Sequence, residues 1–150
     1  MTITHLAAWL MLAAGGLFCG GIFYVAVERL NLWRRMPIDQ YVVDFRRAVY
    51  RADPLMPILG NIAALGAVVF ALHSGGQAAA LAWTGVGLVA VIMVASIALA
   101  EPMNSKFRRL PEGQAPEGVE QIRTNWRRFH LARTAVALAV LACFAAATIW

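Results

Sequence analysis

The stretch "NWRRFHLARTAV" (125–136) sets Trp126, His130 and Arg133 at i, i+4 and i+7, so a helix carries all three on one face. Histidine suits proton transfer near neutral pH, and arginine suits an oxygen that gains negative charge. A second stretch, "ALAEPMNSKF" (98–107), brings a carboxylate, a helix-disturbing proline and an amide together in Glu101, Pro102 and Asn104. Glu28 in "YVAVERLNLWRRMP" (24–37) and Asn61 in "ADPLMPILGN" (52–61) are further polar groups at the edges of apolar runs. Such groups at membrane depth are functional candidates by default.

The elements that position them follow from the distribution of charge. The chain has 150 residues, 61% hydrophobic and 14% charged, too apolar for an ordinary soluble domain. No Asp, Glu, Lys or Arg occurs over 2–27, 54–100 or 134–150. A hydrocarbon core of ~30 Å takes about 20 helical residues to cross. The middle run is long enough for two crossings, with "HSGGQ" (73–77) as the turn. We therefore expect an all-α, integral membrane, four-helix transmembrane bundle in one domain (1–150), with helices at about 3–28, 54–73, 78–101 and 125–150. A cleaved signal peptide fits the first run poorly: no basic residue precedes it, and it exceeds the usual ~7–15 residues.

All 13 Lys and Arg residues lie within 29–51 and 106–133. Four crossings put both segments on one side, and the positive-inside rule makes that side cytoplasmic, with both termini outside. A bacterial inner membrane is the expected location. The net charge of +5 is then a topology signal. No basic surface interleaved with exposed aromatics points to nucleic acid. Trp9, Trp83 and Trp150 fall at outer helix ends as an interfacial belt. Cys19 and Cys143 sit at different depths, which argues for packing rather than a disulfide.

Between helices 1 and 2, "PIDQYVVDFRRAVYR" (37–51) repeats Ile38, Tyr41, Val42, Phe45, Ala48 and Val49 at helical spacing. That pattern describes an amphipathic interfacial helix on the inner membrane surface, or a lid folded over the bundle's inner mouth. Pro54 and Pro57 fit a first helical turn, and 105–122 reads as a solvated loop. Gly16 and Gly20 form a GxxxG, with packing inside the bundle expected ahead of homo-oligomerisation. Asn61 serves either an interhelical hydrogen bond or a pocket. Pro102 either stops helix 3, with Asn104 capping it, or opens its last turn toward the interior. By depth, Glu28, Asn61, Glu101, Asn104, His130 and Arg133 all belong to the cytoplasmic end, where they predict a polar pocket.

"EPMNSKF" (101–107), followed by "NWRRFHLARTAVALAVL" (125–141), resembles the anthrone oxygenase-like family of small four-helix membrane proteins. That family has a Pro-x-Asn after its third helix and a Trp, then a His-x-x-Arg, entering its fourth; here these are Pro102, Asn104, Trp126, His130 and Arg133. A Gly-rich first helix, the amphipathic segment and "DPLMP" (53–57) extend the likeness over nearly the whole chain. Members often have a polar residue where this chain has Ala100, and Glu28 and Glu101 have no counterpart in the pattern. The resemblance implies oxidation of an anthrone, or a similar flat apolar molecule, to a quinone by O2 without a cofactor. It would make His130 the base, Arg133 and Asn104 the stabilisers of an enolate-like oxygen, and Trp126 and Tyr50 the stacking surfaces.

Two other classes compete. Glu28, Glu101 and His130, from three helices at one depth, could hold iron or copper for redox chemistry. No ExxH pair of the di-iron kind is present, and His5 and His73 lie at the far side from His130. A non-catalytic role is the other: a small integral subunit or ligand-binding partner of a larger membrane complex, meeting it through the Gly16/Gly20 face and Gly85/Gly87. A proton-coupled transporter would need a matching relay in the outer half, which has none.

Overall fold

The computed structural model describes residues 2–52 and 54–150; Asp53 of the "DPLMP" stretch lies outside them. Among the described residues seven α-helices follow in order: α1 (Ile3–Tyr24), α2 (Leu30–Arg35), α3 (Ile38–Ala52), α4 (Leu55–Leu72), α5 (Gly76–Ala95), α6 (Glu101–Arg109) and α7 (Val119–Ile149). Two single π-turns, Val25–Arg29 and Ser96–Ala100, join α1 to α2 and α5 to α6 without a break. Four helices are long and apolar enough to cross a membrane. The chain is an integral membrane four-helix bundle, in which α1, α4, α5 and α7 pack in cyclic order around one core.

Close helix approach depends on glycine where a Cβ would collide. At Gly66 a Cβ would lie 2.8 Å from the Met11 backbone nitrogen, so α1 and α4 meet backbone to backbone. At Gly85 it would lie 2.3 Å from the Phe144 ring, which fills the space between α1, α5 and α7. Gly16 and Gly20, by contrast, have nothing within 4 Å. The expectation that this GxxxG serves packing inside the bundle is corrected: the inward face of α1 runs through Ala7, Met11, Ala14, Gly15, Phe18 and Ile22, one step round the helix from Gly16.

Three helix ends differ from expectation, two of them at the π-turns. Helix 1 was expected to end near 28 but continues to Arg35, because Leu30 and Trp33 find burial beyond the π-turn. Helix 3 does not stop at Pro102. The Ser96–Ala100 turn is wider than an α-turn and directly precedes it, which relieves the clash of the ring with the preceding turn. Glu101 stays helical at φ −60°, ψ −41°. Helix 4 starts earlier than expected, at Val119 after Gly118 (φ 68°), since Ile122 gains a buried position there in what was expected to be loop.

Of the two placements open to the amphipathic helix, α3 takes the lid. Its apolar face (Tyr41, Val42, Phe45, Val49) joins Leu30, Trp33, Phe107, Ile122 and Trp126 in a second core at the end of the bundle. Rings in this core contact edge to face or tilted, from 4.6 Å (Phe45–Phe107) to 6.1 Å (Trp33–Tyr41). Such pairs add roughly 0.5–1.5 kcal/mol each beyond burial. Asp44 fastens the lid from the other side, accepting from Arg29 at 3.0 Å and from Trp33 Nε1 at 2.7 Å. Arg46 donates to the Leu110 carbonyl.

Candidate active site

His130 is 1% exposed and uses both ring nitrogens. Nε2 lies 2.9 Å from the Ile22 carbonyl oxygen, and Nδ1 lies 2.7 Å from Nη2 of Arg133. A carbonyl only accepts and a guanidinium only donates, so the pair of contacts selects one tautomer. Nε2 carries the proton and donates to Ile22; Nδ1 accepts from Arg133. Burial of both polar edges is thereby compensated, which an unpaired imidazole at this depth would not be.

Arg133, one turn further along α7, also reaches Ser96 Oγ at 3.4 Å, and its guanidinium lies 5.3 Å from the centre of the Phe129 ring. The two π-turns flank this pair. Ile22 lies just before the first, and Ser96 opens the second. Single π-turns shift side-chain register and redirect backbone groups, and they recur at functional sites. Here they aim a carbonyl and a hydroxyl at the polar residues of α7.

Trp126 stacks on His130 with centroids 4.8 Å apart and planes 19° from parallel. Its indole N–H donates to Asn104 Oδ1 at 3.0 Å, in a buried contact. Asn104 therefore faces the interior of the bundle, two residues past Pro102, rather than capping a helix end. Beside these residues is a cavity of about 400 Å³, within the range that holds small molecules. Phe18, Ile22, Trp33, Val49, Met56, Ile92 and Met93 form apolar walls; Ser96, Glu101, Asn104, His130 and Arg133 form the polar side. Ala48, Val49 and Ala52 of α3 close it from above. Pro57 and Ile97, both exposed, line its rim on the outward-facing surface of α4 and the second π-turn.

Five of the residues singled out in the sequence come together at this cavity: His130, Arg133, Asn104, Trp126 and Glu101. Four do not line it. Asn61 is exposed on α4, because its helix is apolar all round and its rotation is set by Gly60, Ala63 and Ala67 facing inward. Tyr50 lies on the outer face of α3 beneath the Arg46 guanidinium, 5.4 Å from its ring centre. Glu28 is exposed and pairs with Arg29 at 2.9 Å. Pro102 is exposed, and its carbonyl accepts from Ser105 at 3.1 Å.

The set Glu28, Glu101 and His130 is not assembled: Glu101 pairs with Arg108 while Glu28 turns outward. Among the described residues no three His, Cys, Asp or Glu side chains gather as a metal site. Trp33 and Ser96 went unnoticed as site residues. A helical face through Met93, Ser96, Ala100 and Asn104 would have pointed to Ser96; nothing local marks Trp33.

The family model described as anthrone oxygenase matches residues 45–143, from the lid to the C-terminal part of α7. No curated protein and no solved structure matches the chain.

Proposed function

The chain belongs to the anthrone oxygenase family, and from that membership and the cavity we propose that it oxidises a small, flat, apolar ketone of the anthrone type with O2. The carrying observation is Arg133: a guanidinium held by His130 and Ser96 on the polar side of a largely apolar cavity large enough for a small aromatic molecule. A fixed cation in a low-dielectric site is suited to an oxygen that gains charge during reaction.

In the proposed sequence the ring system lies against Trp126 and Met93, with its carbonyl oxygen toward Arg133 and Asn104. When that oxygen draws Arg133 away, Nδ1 of His130 is released and takes the proton from the acidic ring carbon. The electron pair delocalises into the carbonyl oxygen, which Arg133 stabilises. The carbanion reduces O2 and bonds to it, and His130 returns the proton to the outer oxygen, giving a hydroperoxide at that carbon. Loss of water leaves the second carbonyl, so one ketone and one O2 yield one quinone and one water. No cofactor is required by this balance.

An apolar substrate dissolved in the bilayer would reach the cavity at the Pro57–Ile97 rim. The positive-inside tendency of the basic loops supports a cytoplasmic position for the lid. The test is His130→Ala in the full chain: oxygen uptake with anthrone should fall to the uncatalysed rate while the thermal unfolding of the bundle persists. Normal turnover by that variant would remove His130 from the mechanism.

A further inference from the structure

A second concavity, of about 130 Å³, lies at the lidded end of the bundle on the other side of Trp33 and Trp126. Arg34 of α2 and Arg123 and Arg127 of α7 line it, with Thr124 and the ring of Tyr41. Arg123 and Arg127 stand at i, i+4 and so share one helix face. None of its lining residues is acidic. Among the described residues no carboxylate forms an ion pair with any of the three arginines.

Arg123 is held in place: it donates to the carbonyls of Trp33 at 3.3 Å and Met36 at 3.0 Å, and lies 5.4 Å from the centre of the Tyr41 ring. Arg127 is half-buried, and its Nε has no hydrogen-bond partner although it is shielded from solvent. A buried donor left unpaired is costly, and three like charges around one small space repel. An anion seated between them removes both penalties. Asp44 of α3, which reaches Trp33 of the same lining, is committed to Arg29 and Trp33.

We infer that this concavity is a binding site for a phosphate oxyanion, in which Arg34, Arg123 and Arg127 supply the donors. Guanidinium forks match phosphate oxygens with paired charge-assisted bonds. Basic pockets between helices at the cytoplasmic face are suited to anionic lipid headgroups, and the same chemistry accepts free phosphate. The site is independent of the oxidation proposed above, since none of its arginines lines the larger cavity.

The experiment is thermal unfolding of the full chain in an uncharged detergent. One arm titrates phosphatidylglycerol into the micelles, with diacylglycerol as the phosphate-free reference. The other titrates inorganic phosphate against chloride at equal ionic strength. A saturable rise with phosphatidylglycerol alone identifies a lipid headgroup; a rise with phosphate identifies a free anion; either supports the site. Arg127→Gln should weaken the response roughly ten- to hundredfold, the loss expected of one charge-assisted contact. Arg34→Gln, at an exposed position, is the second variant should Arg127→Gln not fold. Arg51→Gln removes the same charge outside the concavity and should leave the response intact. No rise over the references, or equal weakening by Arg51→Gln, would overturn the proposal.

Discussion

Arg133 Nη2 and His130 Nδ1 lie 2.7 Å apart, so the lone pair that would accept a substrate proton is occupied in the resting protein. The two residues thus form one unit. A ligand that competes for Arg133 uncovers the base, whereas a purely hydrocarbon ligand leaves it covered. In the proposed reaction that contact would favour a carbonyl-bearing substrate, because a half-buried guanidinium yields one partner only for another.

Trp126 and Asn104 should be energetically coupled. The indole N–H to Asn104 Oδ1 bond is buried at 3.0 Å. Trp126→Phe and Asn104→Ala should each lower stability by about 1–3 kcal/mol, and the double variant by less than their sum. A double-mutant cycle on thermal unfolding reads this directly. Additive losses would mean the bond contributes nothing.

The glycines divide into two groups with opposite responses. Gly66→Ala would push a Cβ to 2.8 Å from the Met11 backbone nitrogen. A backbone atom cannot swing aside as a side-chain tip can, so a loss of about 1–3 kcal/mol is expected. Gly16→Ala and Gly20→Ala meet nothing within 4 Å and gain helix propensity, up to ~1 kcal/mol each. Thermal unfolding of the three variants in one detergent checks the ordering. Destabilisation by Gly16→Ala together with a change in oligomeric state would instead assign that face to a partner.

The lid should loosen as a unit when its central ring is removed. Phe45 is fully buried among Trp33, Tyr41, Phe107 and Trp126. Phe45→Ala should cost about 3–5 kcal/mol, falling mainly on α3 because the transmembrane core is a separate cluster. The expected readout is faster trypsin cleavage at Arg46, Arg47 and Arg51, with the four long helices still protected. Unchanged cleavage would mean that the ring core does not hold the lid.

Much of this architecture was legible in the sequence because charge-free runs and helical periodicity report depth and amphipathicity directly. The spacing of Tyr41, Val42, Phe45 and Val49 marked the buried face of α3, yet Tyr50, off that face, was expected to stack in the site. Rotation about a helix axis was less legible. Asn61 lies on a helix that is apolar all round, so no pattern says which way it faces. Helix ends were obscured by the two π-turns, since each inserts a residue without a composition signal. Pro102 reads as a stop until the wide turn before it is seen. The coincidence of Ile22, Ser96, His130 and Arg133 arises from those turns and from three separate helices, and no local motif records it.

The central claim is that Arg133 serves the oxidation of a carbonyl-bearing substrate, and one measurement addresses it most directly. Oxygen uptake and quinone formation would be followed with anthrone, using the full chain in lipid nanodiscs, for the native protein and for Arg133→Met. Uptake above the uncatalysed rate is expected, with one O2 per quinone and a loss of about 10²–10³-fold in the variant with its thermal unfolding retained. Equal turnover by a folded Arg133→Met, or no uptake above background by the native chain, would contradict it.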